Sequence, residues 1–367
     1  MRGAPSHVLM TIDAVGGVWT YGLELASGLL QRDVAVTLAV LGPAPSAAQS
    51  EAAEAVGARV IETGLTLDWM EEDPRRLAAS ARRIAALAEE VEADLVHLNS
   101  PILAADGAFA RPVVGVAHSC LASWWGAVRG GEMPDGFRWR TERLGRGYAA
   151  CERVIAPSRA FAERTTELYG VTVDVVRNGR SSSPASAPKE SVVLTSGRLW
   201  DAGKDLATLD RAAARVGGRV EAAGALVGPN AERADCRSVL ALGSLDRAHL
   251  DDRLARASVF CSMALYEPFG LGVLEAAQAS CALVLSDIPT FRELWDGAAV
   301  FVEPRDDQAL AAVLSDLLSD PERAARLGAL AARRASRFSA QAMVENTLAV
   351  YAEALAGRPA MSVEAAA

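Results

Sequence analysis

The stretch YEPFGLGVLEA, residues 266–276, sets two glutamates, Glu267 and Glu275, on either side of Pro268, Phe269, Gly270, Leu271 and Gly272. It follows an apolar run, VFCSMAL (259–265), that reads as a buried strand, and it leads into VLEAAQAS (273–280), which reads as a helix. Proline disfavours helical geometry at the residue before it, so Glu267 is expected on the loop with its carboxylate at the helix mouth. Glu275 falls about one turn inside the helix. Between them, the amides of Gly270, Leu271 and Gly272 stand at a helix start, where they lack intrahelical partners and favour an anion. Carboxylates accept hydrogen bonds from hydroxyls and repel a bare phosphate. Two of them flanking an anion site suit a ligand built as sugar, diphosphate and ribose. The competing reading is a dinucleotide fingerprint, but the third glycine of G-x-G-x-x-G falls at Glu275, so that match fails.

Outward from this stretch the same alternation fills the chain. Apolar runs at 7–12, 34–41, 59–63, 94–99, 112–118 and 153–158 are expected strands, with helices between them at 19–32 and 74–91. The second of these helices has Asp73 as its cap and Pro74 at its first position. NGRSSSPASAPKE (178–190) breaks the pattern with serine, proline and alanine and reads as a linker. The alternation then restarts with strands expected at 191–199, 219–228, 238–243, 259–265, 281–287 and 298–304. Continuous apolar strands between helices indicate parallel sheets covered on both faces. The expected architecture is α/β: two tandem doubly wound Rossmann-like domains, 1–180 and 190–339, joined by a linker at 181–189, with the active site in the interdomain cleft. The ending, SRFSAQAMVENTLAVYAEALAG (336–357), reads as a helix capped near Ser339, packing through Phe338, Met343, Leu348, Val350 and Tyr351. Residues after about 357 are expected to be disordered.

Composition narrows the function classes. With 367 residues, 51% hydrophobic and 23% charged, the chain has the make-up of globular domains with large cores. A net charge of -9 argues against a generic nucleic-acid binder, which needs a basic face. The five cysteines include no C-x-x-C pair and the four histidines show no metal-ligand spacing, so neither a disulfide framework nor a zinc site is expected. The apolar run at the start is too short for a signal peptide, and no run approaches the ~18 residues of a membrane span. A cytoplasmic location is the expectation.

Two further turns carry chemistry. Gly16-Gly17 lies between the first strand and the first helix, where glycine lets backbone amides approach a ligand. A tight turn explains the pair equally well. SGRLWDAGKDL (196–206) holds the same place in the second half: Gly197-Arg198 ends the strand and Lys204 follows the turn. Two cations at the carboxyl end of a sheet suit a diphosphate, arginine as a planar fork and lysine as a point charge. A solvated loop is the plain alternative.

Together these residues resemble the retaining glycosyltransferases of family 4, which have the two-domain GT-B fold. The family's glutamate, seven residues, glutamate element corresponds to Glu267 and Glu275. Its glycine turn corresponds to Gly16-Gly17, its G-R…K element to Gly197, Arg198 and Lys204, and its Asn-Gly to Asn178-Gly179. Ala156-Pro157-Ser158, His118 after PVVGVA, and SDIPTFREL (286–294) match further recurring segments. The resemblance runs from about residue 13 to 300. Two departures stand out: Ser280 occupies a position where glycine is usual, and 179–183, GRSSS, lacks the acidic residue often found after Asn-Gly.

The resemblance implies a transferase that moves a hexose-type sugar from a nucleoside-diphosphate sugar to a sugar, glycolipid or other small acceptor. Arg198 and Lys204 would neutralise the diphosphate, with the amides of Gly16, Gly17, Gly270 and Leu271 and the neighbouring Gly197 and Phe269 around the donor. Glu267 would hold the donor sugar's hydroxyls, Glu275 the ribose, and His118 the reacting region. No Asp-x-Asp occurs, so neither a metal nor another cofactor is expected. A sugar phosphorylase or epimerase on the same fold, or a catalytically silent nucleotide-sugar binder, are the rival readings.

The acceptor is expected near HSCLASWWGAVRGGEMPDGFRWRTERLGRG (118–147), with Trp124 and Trp125 stacking on a ring and Arg138 on an anion. Arg75, Arg76, Arg82 and Arg83 share one helix face, at a helix start where the dipole disfavours them. Peripheral contact with an anionic membrane at its inner face would explain them, as would plain solvent exposure.

Overall fold

The computed structural model describes residues 4–181 and 187–357. Its strands form two parallel sheets. The first holds β1 (His7–Asp13), β2 (Ala35–Leu41), β3 (Arg59–Leu65), β4 (Leu95–Leu98), β5 (Val113–Val116), β6 (Arg153–Ala156) and β7 (Asp174–Val175), in the order β3-β2-β1-β4-β5-β6-β7. The second holds β8 (Glu190–Ser196), β9 (Arg219–Ala223), β10 (Leu240–Gly243), β11 (Ala257–Ser262), β12 (Ala282–Ser286) and β13 (Ala299–Val302), in the order β10-β9-β8-β11-β12-β13. This is the GT-B architecture of two Rossmann-like halves.

Central strands such as LVHL and VVGV are buried at every residue, because helices cover both faces of each sheet. In both sheets the strand order reverses beside the strand that comes first in sequence, between β1 and β4 and between β8 and β11. The crevice outside the carboxyl ends at such a reversal is where ligands bind. Gly16-Gly17 follows β1, Gly197-Arg198 follows β8, and YEPFGLGVLEA follows β11, so all three turns open there.

Several boundaries differ from the sequence reading for identifiable reasons. The first helix spans Gly17–Leu30, two residues earlier than expected, because Gly16 takes the capping position in extended geometry. β9 stops at Ala223 rather than 228 because Gly224 turns away at φ +146, where an added Cβ would sit 1.9 Å from the Gly197 carbonyl oxygen. β7 has two residues, too short to leave a pattern. Ser280 adopts φ +60, the left-handed region in which glycine is unstrained, which accounts for the residue usual at that position. Asp73 caps the helix Pro74–Glu90 as expected, accepting from Arg75 N at 2.9 Å.

The chain crosses between the halves twice, at Asn178–Ser181 and at Phe338–Ser339. Ser339 Oγ accepts from Ala342 N at 3.1 Å and caps the final helix, Ala340–Ala356. That helix buries Met343, Val344, Leu348, Val350 and Tyr351 in the core of the first sheet, against Leu25 and Leu29. Phe338 stays with the second core, packed edge-on to Phe269 and Trp295. Residues 182–186 of the expected linker, and those after 357, lie outside the described residues. No helix among the described residues is long and apolar enough to cross a membrane.

Candidate active site

A cavity of about 490 Å³ opens between the two reversal points and is lined from both halves, by Gly16, Gly17 and His118 on one side and Arg198, Lys204, Glu267, Leu271 and Glu275 on the other. Gly16 and Gly17 begin one helix; Leu271–Gln278 is another, capped by Gly270 at φ +92. The two helix starts meet across the cleft: a Cβ on Gly17 would be 3.5 Å from Leu271 Cδ1, and one on Gly16 would be 3.7 Å from Arg198 Nη1. The first amides of two helices, which lack intrahelical partners, thus converge on a gap that also holds a guanidinium.

Arg198 lies over the Trp200 ring and is steered by Asp201, with Nη2 3.4 Å from Asp201 Oδ2. Lys204 Nζ donates to Glu267 Oε2. An ammonium has three donors, so this pairing leaves others for a ligand oxygen. The loop carrying Glu267 is tied to the first half: Tyr266 OH accepts from Cys120 N (3.1 Å) and bonds Ser123 Oγ (2.8 Å), while Ser158 Oγ donates to Pro268 O (2.7 Å). Phe269 borders the cavity but is 3% exposed, so its ring serves mainly as core.

His118 follows β5 and is half-buried. Asn99 Nδ2 must donate to the Thr11 carbonyl (2.6 Å), so Asn99 Oδ1 faces His118 Nε2 (2.7 Å) and that nitrogen carries the proton. Nδ1 is left as an acceptor. Burial holds the imidazole down to about 4, so it is neutral near pH 7.

The model of Glycosyltransferase Family 4 matches residues 15–182, and that of Glycosyl transferases group 1 matches 183–334. The chain is a glycosyltransferase of the GT-B type. Glycogen synthase of Mycobacterium tuberculosis is 28% identical over 296 residues, covering 72% of this chain and 70% of that one. Among solved structures, sucrose-phosphate synthase from Thermosynechococcus elongatus superposes with a TM-score of 0.76 at 18% identity, covering 96% of this chain and 100% of that one. Anabaena HepE in complex with UDP-glucose gives 0.72 at 20% identity, over 96% and 100% of the two chains.

The glycosyltransferase has a second cavity of about 200 Å³ beside the first, sharing Gly16, Gly17, His118 and Arg198 with it. Its further walls are Asp13, Asp68, Asn99 and Ser100, polar residues that the sequence reading did not single out, with Arg140 and Thr141, which lie in the 118–147 stretch expected to face the acceptor. Their signal was weak, because they are scattered over 130 residues and converge only through the sheet. Burial raises Asp13 and pushes Asp68 up to about 6, while Ser100 Oγ donates to Asp68 Oδ1 at 3.1 Å.

Trp124, Trp125 and Arg138 line neither cavity. Trp124 spends its indole N–H on Asp201 Oδ1 (3.0 Å) and so braces the turn that steers Arg198. Trp125 packs against Trp124 and Phe137, and Arg138 is exposed and paired with Glu132 and Asp135. On the helix Pro74–Glu90, Arg75, Arg76 and Arg83 have carboxylate partners in Asp73, Glu71 and Glu90.

Beneath the site, His97 on β4 is fully buried and hydrogen-bonded through Nδ1 to the hydroxyl of Tyr351 at 2.8 Å, joining the final helix to the sheet. Burial holds His97 down to about 3. Because the folded-state value lies below the unfolded one, the unfolded chain takes up the proton first as pH falls. Stability is complete above about 6.5 and declines on acidification, by about 2 kcal/mol between pH 7 and pH 5 from this residue. Urea unfolding at both pH values should show wild type losing that much more than His97→Gln. Equal pH responses would mean that His97 does not couple folding to protonation.

Proposed function

We propose that this glycosyltransferase takes a hexose-type sugar from a nucleoside-diphosphate sugar and passes it, with retention and without a metal, to a hydroxyl of a sugar, glycolipid or other small acceptor. The observation that carries the reading is the convergence of Arg198, Lys204 and two helix starts on one cavity with two carboxylates at its edge. As the glycosidic bond breaks, the diphosphate gains negative charge, and cations and amides already in place stabilise it without reorganising. Glu267 accepts from the sugar's hydroxyls and Glu275 from the ribose. The UDP-glucose in HepE supports this donor class.

The acceptor belongs in the smaller cavity, which meets the larger one at His118. Asp13, Asp68, Asn99 and Ser100 offer acceptors and donors suited to a polyhydroxylated ring. His118 Nδ1 is free to accept from the attacking hydroxyl.

Calorimetry with UDP, GDP, ADP and TDP tests the donor reading first. Ligand at about 100 times its Kd should also stabilise the fold by roughly 2.7 kcal/mol. The sugar forms of the nucleotide that binds are then assayed for transfer, with the anomeric configuration of the product read by NMR. If no nucleotide binds the folded protein, the donor reading fails. Tight binding without a product points instead to a silent binder.

A further inference from the structure

Arg180 occupies the first crossing between the halves, next to the position at which the chain departs from its family's pattern. Its backbone is held on both sides: Arg180 N donates to Phe338 O of the return crossing (3.2 Å), and Gln278 Nε2 donates to Arg180 O (3.2 Å). Its side chain lies between two carboxylates from different halves. Nη1 donates to Glu24 Oε2 at 2.8 Å, Nε lies 3.2 Å from Glu275 Oε1 without hydrogen-bond alignment, and all three side chains are at most one-tenth exposed. Arg247 Nη1 reaches the same Glu275 Oε1 at 2.6 Å. The closest contact of each cation is thus with Oε1 of Glu275, and no hydrogen bond to Oε2 is formed among the described residues. Glu275 borders the larger cavity, whereas Glu24 does not.

We propose that Arg180 is a positioning residue that couples the donor site to domain closure: with Glu24 holding Nη1, the guanidinium meets Glu275 edge-on, with Nε nearest Oε1, and Oε2 stays available to a ribose hydroxyl. This rests on the reading of Glu275 given above. A guanidinium fork fits a carboxylate with two parallel bonds. Released from Glu24, Arg180 can take both oxygens of Glu275 and occupy the acceptor that the ribose needs. Glu24 rides on the helix Gly17–Leu30, whose first amides face the diphosphate region. A movement that carries this helix away from the second half also removes Glu24 from Arg180. Donor binding and closure then favour each other, as thermodynamic linkage requires.

Glu24→Gln is the decisive variant, because Glu24 touches neither cavity and glutamine can keep the bond that Glu24 Oε1 accepts from Ser181 N (2.9 Å) while losing the charge that Arg180 pairs with. Calorimetry on the full chain with UDP, GDP and ADP, following whichever binds wild type, should show Glu24→Gln weakened on the order of fivefold, a typical coupling strength. The donor KM should rise with it while the acceptor KM stays unchanged. Adding Glu24→Gln to Arg180→Met should weaken binding no further than Arg180→Met alone, since glutamine can still accept from Ser181 N and the only contact it gives up is the one to Arg180. Arg180→Lys, which lacks the fork, should fall between wild type and Arg180→Met. If Arg180→Met fails to fold, Glu24→Gln and Arg180→Lys carry the test.

A Glu24→Gln protein that is less stable yet binds nucleotide as wild type does would overturn the coupling. Glu275→Gln keeps the two readings apart. Its loss of about tenfold in affinity, as for a hydrogen bond to a charged group, with Glu24→Gln unaffected, overturns the coupling and spares the ribose site. Unchanged affinity in Glu275→Gln, or no binding of any of the three nucleotides by wild type, overturns both.

Discussion

Replacing Lys204 by alanine is expected to lower kcat by about 10²–10³, or roughly 3–4 kcal/mol, the loss seen when one donor to a developing oxyanion is removed. The effect has two sources. The ammonium is a positive charge on the turn after β8, in the cavity proposed to hold the diphosphate. It is also the partner of Glu267 Oε2, and neither side chain is more than about one-fifth exposed. Without Lys204, Glu267 keeps its negative charge in a cleft where the leaving group is negative too. Lys204→Ala/Glu267→Gln separates the two sources, because the neutral glutamine removes the repulsion but does not restore the cation. Recovery of part of the lost rate in that double variant would assign the remainder to phosphate neutralisation. Near-wild-type turnover by a folded Lys204→Ala protein would take lysine out of the mechanism.

Gly179→Ala is expected to lower stability by about 3 kcal/mol, at the upper end for overpacking, because backbone rather than a pliable side chain occupies the space. A Cβ at this position would lie 2.1 Å from the Ser339 carbonyl oxygen, 2.4 Å from its carbon and 2.7 Å from Ala340 N. The two crossings between the halves touch here, and Gly179 N also donates to Met343 Sδ at 3.3 Å. Relief would require the final helix to lift from the first sheet, giving up the burial of Met343 and Tyr351. Gly136→Ala is the matched control. Gly136 lies in the helix Asp135–Ala149, with nothing within 4 Å of an added Cβ, and alanine there is expected to be neutral or stabilising by up to about 1 kcal/mol. Urea unfolding followed by tryptophan fluorescence compares the two. A Gly179→Ala protein as stable as Gly136→Ala would show that the crossings can move apart freely.

The turns that line the larger cavity were legible because their parts are local. A strand end, a turn and a helix start lie within about ten residues of one another, so Gly16-Gly17, Gly197-Arg198-Lys204 and Glu267–Glu275 each carry their geometry in their own spacing. The two sheets were legible for a similar reason: strands covered on both faces must be apolar throughout, and the helices between them must keep one apolar side.

The smaller cavity was legible only in part. Asp13, Asp68, Asn99 and the adjacent Arg140 and Thr141 come from four separate segments, and only the last falls in the stretch that the sequence marks for the acceptor. The tryptophans that drew attention are spent on packing and on bracing Asp201. Gly179 and Arg180 show the limit most directly. Asn-Gly could be recognised as a recurring element, but the reason for the glycine is a carbonyl 160 residues away in sequence. The arginine after it looked like a missing acid, although in the fold it stands between Glu24 and Glu275.

The sequence by itself determined the two-sheet architecture, the places where each sheet opens and the glycine and cation turns that line the larger cavity, because hydrophobic period and turn chemistry act over a few residues. Only the tertiary structure decided which polar side chains share the second cavity, why Gly179 has no room for a side chain, and which two carboxylates Arg180 joins. Those facts depend on distances between segments far apart in the chain, and packing sets such distances.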